Sequence, residues 1–257
     1  MPWTFAHAAA VIPLKKVFPQ QLYFLALVAG SFAPDFGYYI GLTSLSHFSH
    51  TRAGLFIACI PIGIFLSYFL SSTGKYFSII LPEPHRSAFR YLTHVEKIES
   101  LKALLLFFVA VLIGSFTHIL WDSFTHAGRW GVNHIDFLKN EALRMGELRI
   151  YWHTFLQHIS SIVGTVIIVR VYINWLKKND QAFFTRAPEE YWRYKLIAAL
   201  LSLSLIISSA IAYIHTKHIS GALALNAFIV DLAFVFTAVF FLCVATSACY
   251  LIHIKKL

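Results

Sequence analysis

Charge is what this chain has least of. Asp, Glu, Lys and Arg make up 13% of its 257 residues, where a soluble domain carries about 25%. Hydrophobic residues reach 58% and the mean hydropathy is +0.66. A water-soluble core cannot absorb that much apolar surface, so lipid must be the solvent for part of it. Cysteine is scarce as well. Cys59, Cys243 and Cys249 all lie inside apolar runs, which argues against a disulfide framework or a thiolate zinc knuckle. Long low-complexity tracts and clear internal repeats are missing too. The opening residues lack the basic start of a cleavable signal, because Lys15 and Lys16 follow the first apolar stretch instead of preceding it.

What is present is a series of apolar runs long enough, at 1.5 Å per helical residue, to cross about 30 Å of hydrocarbon. Five are expected: Leu55 to Ser72, Leu101 to Trp121, Thr154 to Leu176, Lys195 to Ile214 and Asn226 to Ile252. Trp121, Trp152, Trp175 and Trp192 fall at or just beyond their ends, where amphipathic rings favour the headgroup zone. The start of the chain allows two readings. Phe5 to Val17 and Gln21 to Ala33 are apolar but short, with Pro19 between them. They form either a helical hairpin that dips and returns, setting His7 and Asp35 at one depth, or an arm followed by a single span through Asp35 to Gly41. The second places a carboxylate and a proline in a lipid-exposed helix, which is costly, so the hairpin is favoured. The fold class is thus all-α, a polytopic transmembrane bundle of about five spanning helices plus an N-terminal hairpin (or six spans), with residues 1–257 as a single integral membrane domain.

The net charge of +9 does not call for nucleic acid, since the cations sit in short loops between apolar runs. Under the hairpin topology one side holds Arg52, Arg129, Lys139, Arg144, Arg149 and Lys217. The other side holds twice as many: Lys75, Arg86, Arg90, Lys97, Lys102, Lys177, Lys178, Arg186, Arg193, Lys195, Lys255 and Lys256. The positive-inside rule makes the richer side cytoplasmic. Histidines divide the other way. Only His85, His94 and His253 of the 13 fall on the cation-rich side, so a histidine-rich site is expected at the external face.

The strongest local signal is His118-Ile-Leu-Trp-Asp122-Ser-Phe-Thr-His126. Residues four apart share a helix face, so two imidazoles and a carboxylate form one stripe if the helix continues past Trp121. That donor set binds Zn²⁺, Mn²⁺ or Fe²⁺. Three polar residues hydrogen-bonded at a helix end would look the same, but ionisable groups at membrane depth are expensive and usually functional. His7, Asp35, His47, His50 and His158 converge on the same membrane face. Taken alone, each reads as a surface, capping or interfacial residue. Asp231, just inside the last span, reads as the partner of a nearby cation or histidine.

These motifs resemble a bacterial membrane-protein family known as domain of unknown function 4184, over nearly the whole chain. The likeness rests on Met1-Pro2-Trp3-Thr4 with His7 and Pro13-Leu14, on Gly30-Ser31 with Ala33-Pro34-Asp35-Phe36, and on Ser49-His50-Thr51 with Gly54. It continues through the His118–His126 motif with Gly128, then Gln157-His158 with Ser160-Ser161. Trp3 stands where the family has Phe. The order His, Asp, His, His-x-x-x-Asp, His, His also looks like the ligand order of zinc-dependent phospholipase C and of related membrane-bound metal-dependent hydrolases. That second resemblance implies His7, Asp35, His50, His118, Asp122, His126 and His158 as ligands of a divalent metal, zinc, as one or more ions. Ile162 stands where an acidic ligand would follow His158.

The reading from sequence is a membrane-embedded metal-dependent hydrolase in the bacterial cytoplasmic (inner) membrane, with its site on the extracytoplasmic face. Asp35 or Asp122 would bridge metals or act as base, and a phospholipid or polyprenyl phosphate would be the substrate. Membrane lipids are the expected partners; nucleic acid is not. A metal-binding transporter or sensor without catalysis, and a structural membrane protein, are the alternatives.

Overall fold

The computed structural model describes residues 3–94, 98–145, 148–179, 190–220 and 222–255. Lys97, Arg186 and Lys256 of the loop cations, and Met1 and Pro2 of the opening motif, lie outside the described residues. A 3-10 turn at Thr4–His7 leads into α1 (Ala8–Val17), and α2 (Phe24–Phe32) returns beside it. The start of the chain is therefore a helical hairpin, and neither arm is long enough to span. At the end of α2 the helix tightens into a 3-10 turn over Ala33–Asp35, because Pro34 has no N–H with which to continue it.

Five helices among the described residues are long and apolar enough to cross a membrane. The first runs over Arg52–Ile80. It starts at Thr51, whose side chain accepts the Gly54 N–H at 2.9 Å, passes through a π-helical turn at Leu55–Cys59 and continues as α3 (Ile60–Phe77). The short α4 (His85–Leu92) follows. Then come α5 (Leu101–Thr125), α6 (Trp152–Lys178), α7 (Tyr191–Thr216) and α8 (Ala222–Lys255). The architecture is an all-α bundle. A small antiparallel hairpin is the exception, with β1 (Glu141–Met145) paired to β2 (Leu148–Tyr151) in the polar segment between α5 and α6.

The centre of the bundle is the crossing of α2 and α5. Small residues set its closeness, as expected where lipid removes the hydrophobic drive between helices. A Cβ on Gly114 would sit 2.1 Å from the Leu27 carbonyl oxygen, and one on Gly30 would sit 2.2 Å from that of Val111. Ser115 Oγ donates across the crossing to the Gly30 carbonyl at 3.0 Å. Beside it, Val11, Leu27, Phe107 and Val111 form a fully apolar core. The last two helices pack against each other and, through Ile80, Leu200 and Ala248, against the end of the first span.

Candidate metal centre

Five residues distant in sequence meet where α2 ends, α5 nears its end and the first span begins. His118 and Asp122 come from α5, Asp35 from the 3-10 turn after α2, His50 from the residue before the Thr51 cap, and His7 from the first turn of the chain. All five are buried. The close α2–α5 crossing explains part of the arrangement, since it brings the Ser31 carbonyl to 2.7 Å from His118 Nδ1. A second backbone carbonyl, that of Ser46, lies 2.7 Å from His50 Nδ1. A carbonyl can only accept, so both Nδ1 atoms carry a proton. Both Nε2 atoms face inward, which is the usual orientation of a ligating histidine.

The inward distances are informative. Asp122 Oδ2 lies 3.3 Å from His50 Nε2 and 3.4 Å from His118 Nε2. Asp35 Oδ1 lies 3.5 Å from His118 Nε2 and 3.6 Å from His50 Nε2. These separations exceed ordinary hydrogen bonds of about 2.7–3.2 Å. They suit neighbouring ligands of one ion, which metal–ligand bonds of about 2.0–2.1 Å hold roughly 3 Å or a little more apart. The four ligand atoms lie within 4.8 Å of one another. The donor set also fits a cation on a second ground. His118 Nε2, Asp35 Oδ1, His7 Nε2 and Asp122 Oδ1 are buried without a hydrogen-bond partner. Each such atom costs about 1–3 kcal/mol, and four gathered in one place are what a bound cation would satisfy.

Asp122 faces two ways. Its Oδ2 belongs to the four-atom group, while Oδ1 lies 3.5 Å from His7 Nε2 and 3.6 Å from His126 Nδ1. The His7 ring stacks on that of His118, with centroids 3.8 Å apart. His126 is the cap residue after α5, in extended conformation. The helical stripe expected from the sequence therefore covers His118 and Asp122 and stops short of His126, which reaches Asp122 from the rim. His158 stands apart from the group, with its Nε2 3.3 Å from Asn226 Oδ1 on α8. His47 is turned to the Tyr38 ring, and Asp231 pairs with His215 at 3.0 Å.

Sequence reasoning missed the supports. Thr4 Oγ1 donates to Asp35 Oδ2 at 2.6 Å, and Arg129 Nη1 approaches the His50 carbonyl at 3.5 Å. Thr4 stands three residues before His7 in the opening motif, and that spacing is the only signal that could have marked it. The Gln157–Ser161 motif serves to dock other parts. Ser161 Oγ accepts the Trp3 N–H at 2.9 Å, and Ser160 Oγ accepts the Trp121 indole N–H at 3.2 Å.

Fold and site together define a multi-pass helical membrane protein with a buried Asp/His group that can hold a metal ion. A family model described as a domain of unknown function (DUF4184) matches residues 1–251, and the chain belongs to that family. No curated protein and no solved structure matches it, so the likeness to phospholipase C rests on the residue order alone.

Proposed function

We propose that this protein is a membrane-embedded metal-dependent hydrolase that cleaves a phosphate ester at the level of the lipid headgroups, in a phospholipid or a polyprenyl phosphate. The observation that carries this reading is the gathering of buried Asp35, His50, His118 and Asp122, whose His–Asp ligand atoms stand 3.3–3.6 Å apart and include the orphaned His118 Nε2 and Asp35 Oδ1. These four would hold a divalent cation such as zinc, with Asp122 reaching a second position beside His7 and His126. Bound there, the cation supplies Lewis acidity toward a phosphoryl oxygen and acidifies a water. Asp35, anchored by Thr4, and Asp122 would supply the negative charge that balances the cation. Arg129 stands at the edge of the group with a guanidinium suited to phosphate. Exposed Trp121 and Trp130 nearby are the residue type that settles among headgroups.

The apolar core beside the site supports an enzyme over a transporter. Val11, Leu27, Phe107 and Val111 close the way toward the other end of the bundle, and transport would need a polar trail there. The cation count supports a site on the extracytoplasmic side, which for a bacterial protein is the outer face of the inner membrane. With native cysteines removed, Asn133→Cys should react with an impermeant external thiol reagent, and Lys178→Cys only after permeabilisation. The reverse pattern would move the site to the cytoplasm.

The test of the metal reading pairs two measurements on wild type and Asp122→Asn in one detergent. Metal content by plasma mass spectrometry should fall from about one ion or more per chain to near zero in the variant. Phosphate-ester hydrolysis in vesicles should vanish with it, while the variant still inserts and melts cooperatively. Equal metal in the two proteins would refute the metal centre. Metal without hydrolysis in wild type would leave a non-catalytic binder.

A further inference from the structure

At the end of the bundle away from the Asp/His group lies a cavity of about 1000 Å³. The turn between α1 and α2, the end of α4, Phe107 of α5 and the last turns of α6 enclose it. Three of its lining residues are cations, Lys15, Lys16 and Arg90, and His94 stands beside them. Among the described residues none that lines it is acidic. The rest of the wall is apolar and aromatic, including Tyr23, Phe107, Tyr172 and Trp175.

Local bonds hold the cationic rim in place. Lys15 Nζ donates to the carbonyls of Pro19 and Leu22, which ties the hairpin turn together. Arg90 is anchored through Nε to Ser78 Oγ at 2.7 Å. The wall between α4 and α6 is fixed by the His85 Nδ1–Tyr172 Oη contact at 2.7 Å and by the Tyr91 ring against Trp175. Lys15 and Arg90 are therefore held at the mouth of the space, while Lys16 is exposed beside them.

We infer that this cavity binds one anionic phospholipid of the adjoining leaflet, its phosphate between Lys16 and Arg90 and its acyl chains along Tyr23, Phe107 and Trp175. Charge complementarity selects the headgroup, because an ammonium and a fixed guanidinium favour a phosphate diester that lacks a choline cation of its own. The apolar wall selects an amphiphile over a soluble anion. The volume is at the upper end of the roughly 300–1,000 Å³ of ordinary ligand pockets, enough for a headgroup and the first part of its chains. The metal centre takes no part in this site, so the lipid is bound whether or not the chain is a hydrolase.

The test uses the full chain in neutral detergent, titrated with brominated phosphatidylglycerol or brominated phosphatidylcholine. The readout is the quenching lost on Trp175→Phe. Phosphatidylglycerol should quench at about tenfold lower concentration than phosphatidylcholine, and high salt should erase that preference. In the double variant Lys16→Ala/Arg90→Gln the two lipids should quench alike. Equal quenching by both lipids in wild type would overturn the inference, as would an unchanged preference in the double variant. A melting-temperature rise with inorganic phosphate as large as with phosphatidylglycerol would also overturn it, because the ligand would then be a free anion. If the double variant fails to fold, the salt dependence in wild type decides alone: a preference indifferent to salt refutes a phosphate held by these cations.

Discussion

The two halves of the bundle solve the membrane problem differently. From the first turn to the end of α5 the helices other than α5 are short or interrupted; they cross α5 closely on glycines, and carboxylates and imidazoles are buried among them. The pair α7–α8 is long, regular and apolar. The span Ala224–Ile254 has the highest hydropathy of the five, and none of its most apolar window is buried inside the bundle. Lipid alone suits such a helix. Ionisable groups in the first half must instead be satisfied by protein or by a bound ion. His215 and Asp231 make the same chemical pair as His118 and Asp122, yet their side chains are 57% and 30% exposed and can be solvated where they stand. Burial, more than residue type, separates a candidate site from a surface ion pair.

The largest effect that would break this contrast is at the α2–α5 crossing. Gly114→Ala places a methyl on the Leu27 carbonyl, which is backbone and cannot turn aside. The helices must separate, and overpacking of this kind costs about 1–3 kcal/mol. The Ser31 carbonyl should then leave His118, so melting temperature and metal content should fall together. A variant that melts lower but keeps its metal would show that the crossing does not position the site. An intermediate effect is expected at Thr4. Thr4→Val removes the hydrogen bond to Asp35 at nearly constant shape, and loss of such a support typically lowers metal affinity by about 10–100-fold. Competition against a zinc chelator measures it, and unchanged affinity would remove Thr4 from the site. The smallest effect belongs to the other half. His215→Ala should change stability by less than about 1 kcal/mol, as for exposed ion pairs generally, with metal content unchanged. A larger loss in a detergent melting curve would erase the distinction between the two regions.

The spans were legible because hydrocarbon demands continuous apolar runs. Thr154 to Leu176 was expected, and the helix covers Trp152–Lys178. The ends run on because a helix continues into the headgroup zone on polar residues that hydropathy does not score. His118 and Asp122 were legible from their spacing of four, and Asp35 and His50, each a surface or capping residue when taken alone, only from their convergence on one membrane face and from the resemblance. The Ser31 and Ser46 carbonyls were not legible, because a backbone acceptor has no sequence signature. The β-hairpin at Glu141–Tyr151 was read only as polar connection, its alternation being too short to stand out. His158 looked equivalent to its neighbours because chain order does not say which face of α6 meets which helix. The structure turns it toward Asn226.

The π turn at Leu55–Cys59 makes sequence length a constraint of its own. A helix advances about 100° for each residue, and the π turn accommodates one residue more than the α-helical count. Gly63 beyond it stays seated on Val111, while the chain before it delivers His50 to Asp122. Deleting a single residue between positions 55 and 59 would leave hydropathy, charge and span length nearly untouched, yet would swing the start of the helix by about that angle. In this segment an insertion or deletion matters more than most substitutions, because the azimuth of His50 depends on the number of residues after it and hardly at all on their kind.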